Sequence, residues 1–255
     1  MELIPGRKIF DERSELNKPL NGLLALVTIA VTLAVVVAFF VVFDGWFTGA
    51  TLVSTAIVVM VGQLMVGMMI AARAKLKARW GDRAFSVAFR WLAIPGLTFI
   101  GAAVAHFAWI EGARVVPREI ALIPAAYLLV SGIVLWWRAV TTFGIDNLSL
   151  LYVYFPSESR LVQSNVYSVL RHPVYSAVLR IIFSIVLWND GSAFALFAGC
   201  VAPLALWLWL RWAEEPELIE RFGEGYREYR RRVPAFFNFD PRTWGTLWRF
   251  LIMGK

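Results

Sequence analysis

Cysteine occurs once in the 255 residues, at Cys200, histidine twice, at His106 and His172, and only 17% of the chain is charged. A lone thiol excludes an intrachain disulfide and any cysteine-based metal cluster. Lying inside an apolar run, Cys200 reads as a packing residue. With two histidines, a protein metal centre would have to lean on carboxylates. No Gly-x-Gly-x-x-Gly follows a strand, and Gly223-Glu-Gly225 lies in a charged helical stretch, so the soluble dinucleotide-binding solution is absent. The scarcity of charge excludes most. Soluble domains run at about 25% charged and about 45–50% apolar, whereas 59% of this chain is hydrophobic, with 12 Trp and 19 Phe. A surplus of that size lies against lipid, which rules out a soluble enzyme, a disordered chain and a free nucleic-acid binder.

Apolar stretches close to the ~20 residues that a bilayer-crossing helix needs fall at 20–43, 50–72, 91–110 and 120–137. Two more, 174–188 and 192–210, are separated only by Asn189, Asp190 and Gly191. The expected fold is an all-α polytopic membrane protein of about six transmembrane helices, the last two a tight hairpin. The first stretch is too long, and too acidic in its flank (Glu2, Asp11, Glu12, Glu15), for a cleavable signal peptide. Three regions are expected: a four-helix transmembrane part over 1–140, a connector, hairpin and polar helix over 141–236, and an interfacial C-terminal helix over 237–255.

The net charge of +7 is distributed by topology. Segments 1–19, 73–90, 138–173 and 211–255 carry 4, 6, 3 and 9 Lys or Arg, which is 22 of 25. The turns between them hold Arg114 and Arg118, and Arg180 falls inside a span. Six crossings alternate these segments without conflict, so the positive-inside rule puts both termini in the cytoplasm. The membrane is a bacterial inner membrane or the endoplasmic reticulum. The opposite turns are too short for a pocket, so chemistry with water-soluble partners must be built from the two long basic segments, before span five and after span six.

In the first of these, Val166-Tyr-Ser-Val-Leu-Arg-His-Pro-Val-Tyr175 stands directly before span five. Pro173 suits the first helical position, which puts His172 at a helix N-terminus at the membrane surface, as a chemical group or as a mere helix cap. His172, Ser176 and Arg180 are spaced i, i+4, i+8 and share a face. In the second segment Glu214 and Glu215 directly follow the last span, near the depth of His172 if the hairpin closes antiparallel. Two carboxylates at a lipid boundary are costly unless something polar uses them. Leu218, Phe222, Tyr226 and Tyr229 recur at helical spacing as packing residues, Arg230, Arg231 and Arg232 suit anionic headgroups, and Val233-Pro234 should end the helix. Trp244, Leu247, Trp248 and Leu251 form the apolar face of a surface-lying helix.

Arg171-His-Pro-Val-Tyr175, an apolar hairpin, then Glu214-Glu-x-x-Leu-x-x-x-Phe-Gly-x-x-Tyr-x-x-Tyr229 and Val233-Pro234 together resemble the integral-membrane methyltransferases related to isoprenylcysteine carboxyl methyltransferase and phospholipid methyltransferase. The resemblance covers roughly 155–236. It implies S-adenosylmethionine held by Ser159, Arg160, Leu161, Val162, Tyr167, His172, Pro173, Val174, Tyr175 and Glu214. Ser164-Asn165 stands where the family has Thr-x-Gly. Leu210, with Arg211 beside it, stands where the prenylcysteine enzymes place a substrate-contacting arginine, so the prenylcysteine substrate is not carried over.

The expected activity is S-adenosylmethionine-dependent methyl transfer to a lipophilic acceptor at the cytoplasmic interface, with no nucleic acid, metal or evident protein partner. Methyl transfer needs chiefly alignment and exclusion of water. Arg180, about 10 Å into its helix, is expected to face the pocket below His172 and engage the acceptor, with Arg211 as a second candidate. An NADPH-dependent membrane reductase of the sterol or steroid type stays open, because such proteins share an Arg-His-Pro-x-Tyr stretch before a hairpin. A non-enzymatic scaffold or transporter has less behind it: only Gln63, His106 and Arg180 are polar at depth.

Overall fold

The structure, a computed structural model, describes residues 8–16, 18–238 and 240–253. Arg7 and Lys255, counted among the basic residues, and the acidic Glu2 lie outside them. Fourteen α-helices follow one another among the described residues: α1 (Lys8–Ser14), α2 (Pro19–Phe43), α3 (Ala50–Ala71), α4 (Arg73–Trp80), α5 (Ala84–Ala88), α6 (Ile94–His106), α7 (Arg118–Phe143), α8 (Ile145–Leu148), α9 (Leu151–Tyr154), α10 (Pro173–Trp188), α11 (Ala193–Trp209), α12 (Glu215–Phe222), α13 (Glu224–Arg232) and α14 (Pro241–Met253). No named strand is present among them. Five stretches are long and apolar enough to cross a membrane, beginning with α2, α3, the run through α6, α7 and α11, and α10 is a shorter apolar sixth. The chain is an all-α polytopic membrane protein.

The spans pack through small residues, since lipid is as apolar as the helices and gives them no hydrophobic reason to associate. A Cβ on Gly62 of α3 would sit 2.7 Å from the Gly96 carbonyl of α6, and one on Gly96 would sit 2.9 Å from the Gly62 carbonyl. Gly132 does the same for α7 against α10, its place 3.1–3.2 Å from Ile181, Ala177 and Arg180. Ser184 Oγ adds a hydrogen bond to the Ala125 carbonyl at 2.7 Å. By contrast α2 buries only Ala25, Thr32, Val36 and Phe40, with Phe39 partly buried beside them, and most of its other apolar side chains are exposed.

The four basic segments gather at one end. Arg13 meets Glu158 at 3.2 Å, Arg73 reaches both oxygens of Glu220 at 2.7 and 2.6 Å, and Arg138 donates to the Leu251 and Ile252 carbonyls at 3.3 Å each. The short turns gather at the other end. The Val115 amide donates to the Gly191 carbonyl at 3.3 Å and the Ala193 amide to the Ala113 carbonyl at 2.9 Å, while His106 Nε2 faces Asp44 Oδ2 at 2.9 Å.

α10 has 16 residues, about 24 Å at 1.5 Å per residue, against a hydrocarbon core of about 30 Å. Polar segments must therefore fold inward to meet it at the basic end, and that is where the site lies. α14 buries Leu247 and Leu251 against Leu135, Ala139 and Tyr167. Trp244 and Trp248 stay half-exposed, so only part of the anticipated apolar face is covered by protein.

Candidate active site

Pro173 opens α10, and His172 before it has φ −125° and ψ 64°, outside the helix. Its side chain caps nothing; its carbonyl receives the Tyr175 and Ser176 amides at 3.1 and 3.2 Å. The Arg171 and His172 amides donate to the Pro234 and Ala235 carbonyls, each at 2.8 Å. This short backbone seam pins the connector to the segment after α13, and Val233-Pro234 is indeed where that helix stops.

Arg171 is the hub of the seam. Its Nη2 donates to Glu215 Oε1 at 2.7 Å, with the two side chains only 10% and 7% exposed. Its Nη1 donates to the Arg230 carbonyl at 3.1 Å and to the Val233 carbonyl. Arg230 Nε closes on Glu215 Oε2 at 3.3 Å. Arg231 pairs with Glu224 at 2.9 Å and Arg232 with Gln163 at 3.3 Å. Arg230 is thus tied to the Glu215 cluster, whereas Arg231, 64% exposed and paired only within α13, still points away from the protein.

His172 lies between two carboxylates. Its Nδ1 is 3.2 Å from Glu214 Oε1 and its Nε2 3.6 Å from Glu215 Oε1, with the Tyr226 hydroxyl 3.4 Å from Nε2. Burial disfavours the charged imidazolium, but the Glu214 charge and the hydrogen bonds to Glu214 and Glu215 outweigh it, so the His172 pKa is raised. Tyr175 donates to Glu214 Oε2 and itself accepts from Trp209 Nε1 at 3.2 Å. The depth expected for Glu214 from a closed hairpin is therefore the observed one. A π-helical turn over Leu210–Glu214 adds a residue to the last span just before the pair, and such bulges recur at functional sites. It leaves Glu214 toward Tyr175 and Glu215 toward Arg171.

Two adjoining chambers open beside this cluster. One, of about 210 Å³, has apolar walls from Val66, Ile70, Ala93, Leu97, Val174 and Trp209. The other, of about 70 Å³, is bounded by Arg160, Glu217, Arg221 and Tyr226. Tyr167, Arg171, His172 and Glu214 line both, as do Phe143, Asn147 and Leu150. The rings of Phe143 and Tyr167 stack with centroids 4.9 Å apart. Leu150 holds a left-handed φ of +61°, a genuine outlier for a bulky side chain, of the kind that marks functional sites. Asn165 holds φ +52°, which asparagine tolerates better than most residues; this is how the turn forms without the family's glycine.

Of the ten residues expected around a cofactor, Arg160, Leu161, Val162, Tyr167, His172, Val174, Tyr175 and Glu214 line these chambers. Ser159 and Pro173 do not: Ser159 Oγ donates to the Pro156 carbonyl at 2.6 Å, and Pro173 is buried as the first residue of α10. The expectations for the two arginines are corrected. Arg180 faces a separate cavity with Ser176, Tyr127 and Trp248, because the face that these two α10 residues share looks toward α7 and α14, while His172 precedes the helix and its side chain turns to Glu214. Arg211 is exposed and lines neither chamber, while Leu210 is buried with Leu179 and Phe236.

Sequence reasoning also missed wall residues from α3, Val66 and Ile70, and the hydroxyls of Tyr226 and Tyr229, read there as packing groups. Tyr229 donates to the Tyr167 carbonyl at 2.5 Å. The phenol of Tyr226 is pushed well above its ordinary pKa, first by burial and then by the Glu215 charge, so it stays a neutral donor.

Residues 120–225 match the sequence model of the family described as phospholipid methyltransferase. No curated protein and no solved structure matches the chain. The matched segment takes in most of α7, the connector, the hairpin and the Glu214-Glu215 pair, so the likeness to the integral-membrane methyltransferases is borne out there; it begins one span earlier than the motifs and ends before Tyr226, Tyr229 and Val233-Pro234. It implies a methyltransferase acting on a lipid-type substrate.

Proposed function

We propose that the protein is an S-adenosylmethionine-dependent methyltransferase that receives its cofactor at the cytoplasmic face and a lipophilic acceptor from the bilayer. The observation that carries this reading is that His172 and Glu214 line two adjoining chambers, one edged by the charged Arg160, Glu217 and Arg221 and the other walled by apolar side chains. Such a junction suits a charged reactant meeting a greasy one. The basic segments on the site's side, which carry 20 Lys or Arg among the described residues, support a cytoplasmic placement of this end and of both termini.

The residues fit the cofactor's chemistry. Glu214 and Glu217 offer carboxylates to an ammonium, a sulfonium or ribose hydroxyls. Arg171 Nε and Arg221 Nε are buried N–H groups without a partner among the described residues, available to a carboxylate. The Phe143–Tyr167 stack offers an aromatic face to a base. When bound, the cofactor supplies an electrophilic methyl group. The apolar walls then exclude water and hold the acceptor in line, and His172, fixed by Glu214 and Glu215, keeps Glu214 and Tyr175 in place. Alignment of this kind supplies much of a displacement's rate.

The test is binding of labelled S-adenosylmethionine to the detergent-solubilised protein, with NADPH as competitor. Saturable binding is expected, insensitive to NADPH and weakened about ten-fold or more by Glu214→Gln, the loss of one charged, buried contact. Saturable NADPH binding with none of S-adenosylmethionine overturns the reading in favour of a reductase.

A further inference from the structure

Arg180 lines a cavity of about 350 Å³ between α7, α10 and α14, together with Ser176, Tyr127, Trp244 and Trp248. No Asp or Glu is among its walls, and among the described residues no hydrogen bond or ion pair holds the guanidinium. An uncompensated cation within a membrane span is costly and by default marks a functional site, and an anionic partner is what offsets its charge most directly. Beside it runs an apolar trough of about 490 Å³ along Ala126, Val130, Val134 and Ile252. Tyr127 and Trp248, whose rings lie 5.8 Å apart, border both spaces. Neither space shares a wall residue with the chambers around His172.

We infer that this compound cavity is a second lipid site, separate from the reaction chamber, that holds one anionic phospholipid with its phosphate on Arg180 and an acyl chain in the trough. The guanidinium matches a phosphate with two parallel N–H groups. The trough is aliphatic and aromatic over a length that a headgroup alone would leave empty. The rings of Trp244 and Trp248, half-exposed on α14, suit the level where headgroup meets chain. The occupant is a phospholipid and not a neighbouring helix because a helix would bring an apolar surface but no charge for Arg180. The inference does not rest on the proposed methyl transfer.

The experiment is native mass spectrometry of the full-length protein from nanodiscs of phosphatidylglycerol or of phosphatidylcholine, with thermal unfolding in detergent on addition of each lipid. The wild type should retain one phosphatidylglycerol and be stabilised by it, with phosphatidylcholine about ten-fold weaker or more, because choline sets a second cation beside the same phosphate, where it repels the guanidinium and competes for the charge. Arg180→Met should remove that preference. Ala126→Trp, which fills the trough and leaves the arginine intact, should lower retention of both lipids. Equal retention of both lipids by the wild type, unchanged preference in Arg180→Met, or unchanged retention in Ala126→Trp overturns the proposal, and a bound fatty-acid carboxylate overturns the headgroup assignment. If Arg180→Met does not fold, the wild-type comparison and Ala126→Trp decide. S-adenosylmethionine binding, read in parallel, would fail independently if only the enzymatic reading were wrong.

Discussion

Arg171→Met should cost most of the stability of the basic end. The substitution deletes the 2.7 Å contact with Glu215 and the two bonds to the Arg230 and Val233 carbonyls, and it leaves Glu215, 7% exposed, with weaker partners. Those are Arg230 at 3.3 Å, the Tyr226 hydroxyl at 3.5 Å and His172 at 3.6 Å. Removing one member of a buried ion pair costs about 3–5 kcal/mol, and the remaining cations put this case near the lower bound, roughly 3 kcal/mol. That is a large share of a typical total of about 5–15 kcal/mol. Because much of the loss is an abandoned carboxylate, Arg171→Met with Glu215→Leu should be more stable than the sum of the single changes by roughly 1–3 kcal/mol. Tryptophan-monitored unfolding in mixed micelles across the four proteins measures the coupling. Strict additivity, or a single-variant cost below about 1 kcal/mol, would refute the view of Arg171 as the hub.

The raised pKa of His172 makes stability depend on pH with a definite sign. Its contribution is fully present below the ordinary value of about 6.5 and is lost as pH rises through the raised folded value. The alkaline fall in melting temperature above neutrality should therefore shrink in His172→Gln, and an identical fall in both would remove the imidazolium from the account. Gly62→Ala should destabilise the protein by about 1–3 kcal/mol through overpacking at the α3–α6 crossing, read from the same unfolding assay; a neutral effect would mean the helices can part freely.

The spans were legible because hydropathy is a one-dimensional signal: the observed ends of α2, α3, α10 and α11 lie within a residue or two of the apolar runs. The meeting of His172 and Glu214 was legible too, through the short Asn189-Asp190-Gly191 turn that forces an antiparallel hairpin. What could not be read was direction around a helix axis. The i, i+4, i+8 pattern put Arg180 on the face of His172, but His172 precedes the helix and its side chain turns toward Glu214, while Arg180 follows α10 to α7 and α14. Arg211 was offered by adjacency to Leu210, and a π-helical turn there rotates it outward. The walls from α3 and α6 depend on contacts between residues about a hundred positions apart, for which the chain offered no pattern. The same holds at the opposite end. His106 was visible only as a polar residue at depth, yet it joins Asp44 at 2.9 Å and Thr55 at 2.8 Å beneath the ring of Phe40, whose centroid is 3.6 Å away.

The central claim is that a methyl group passes from a charged cofactor to a lipophilic acceptor beside His172 and Glu214. The direct measurement is transfer of label from methyl-labelled S-adenosylmethionine into the organic-solvent extract of membranes that contain the protein. The account predicts label in the lipid fraction that depends on the protein and falls by about ten-fold or more in Glu214→Gln. Unlabelled lipid from membranes whose protein binds the cofactor, or full labelling by the Glu214→Gln variant, would contradict it.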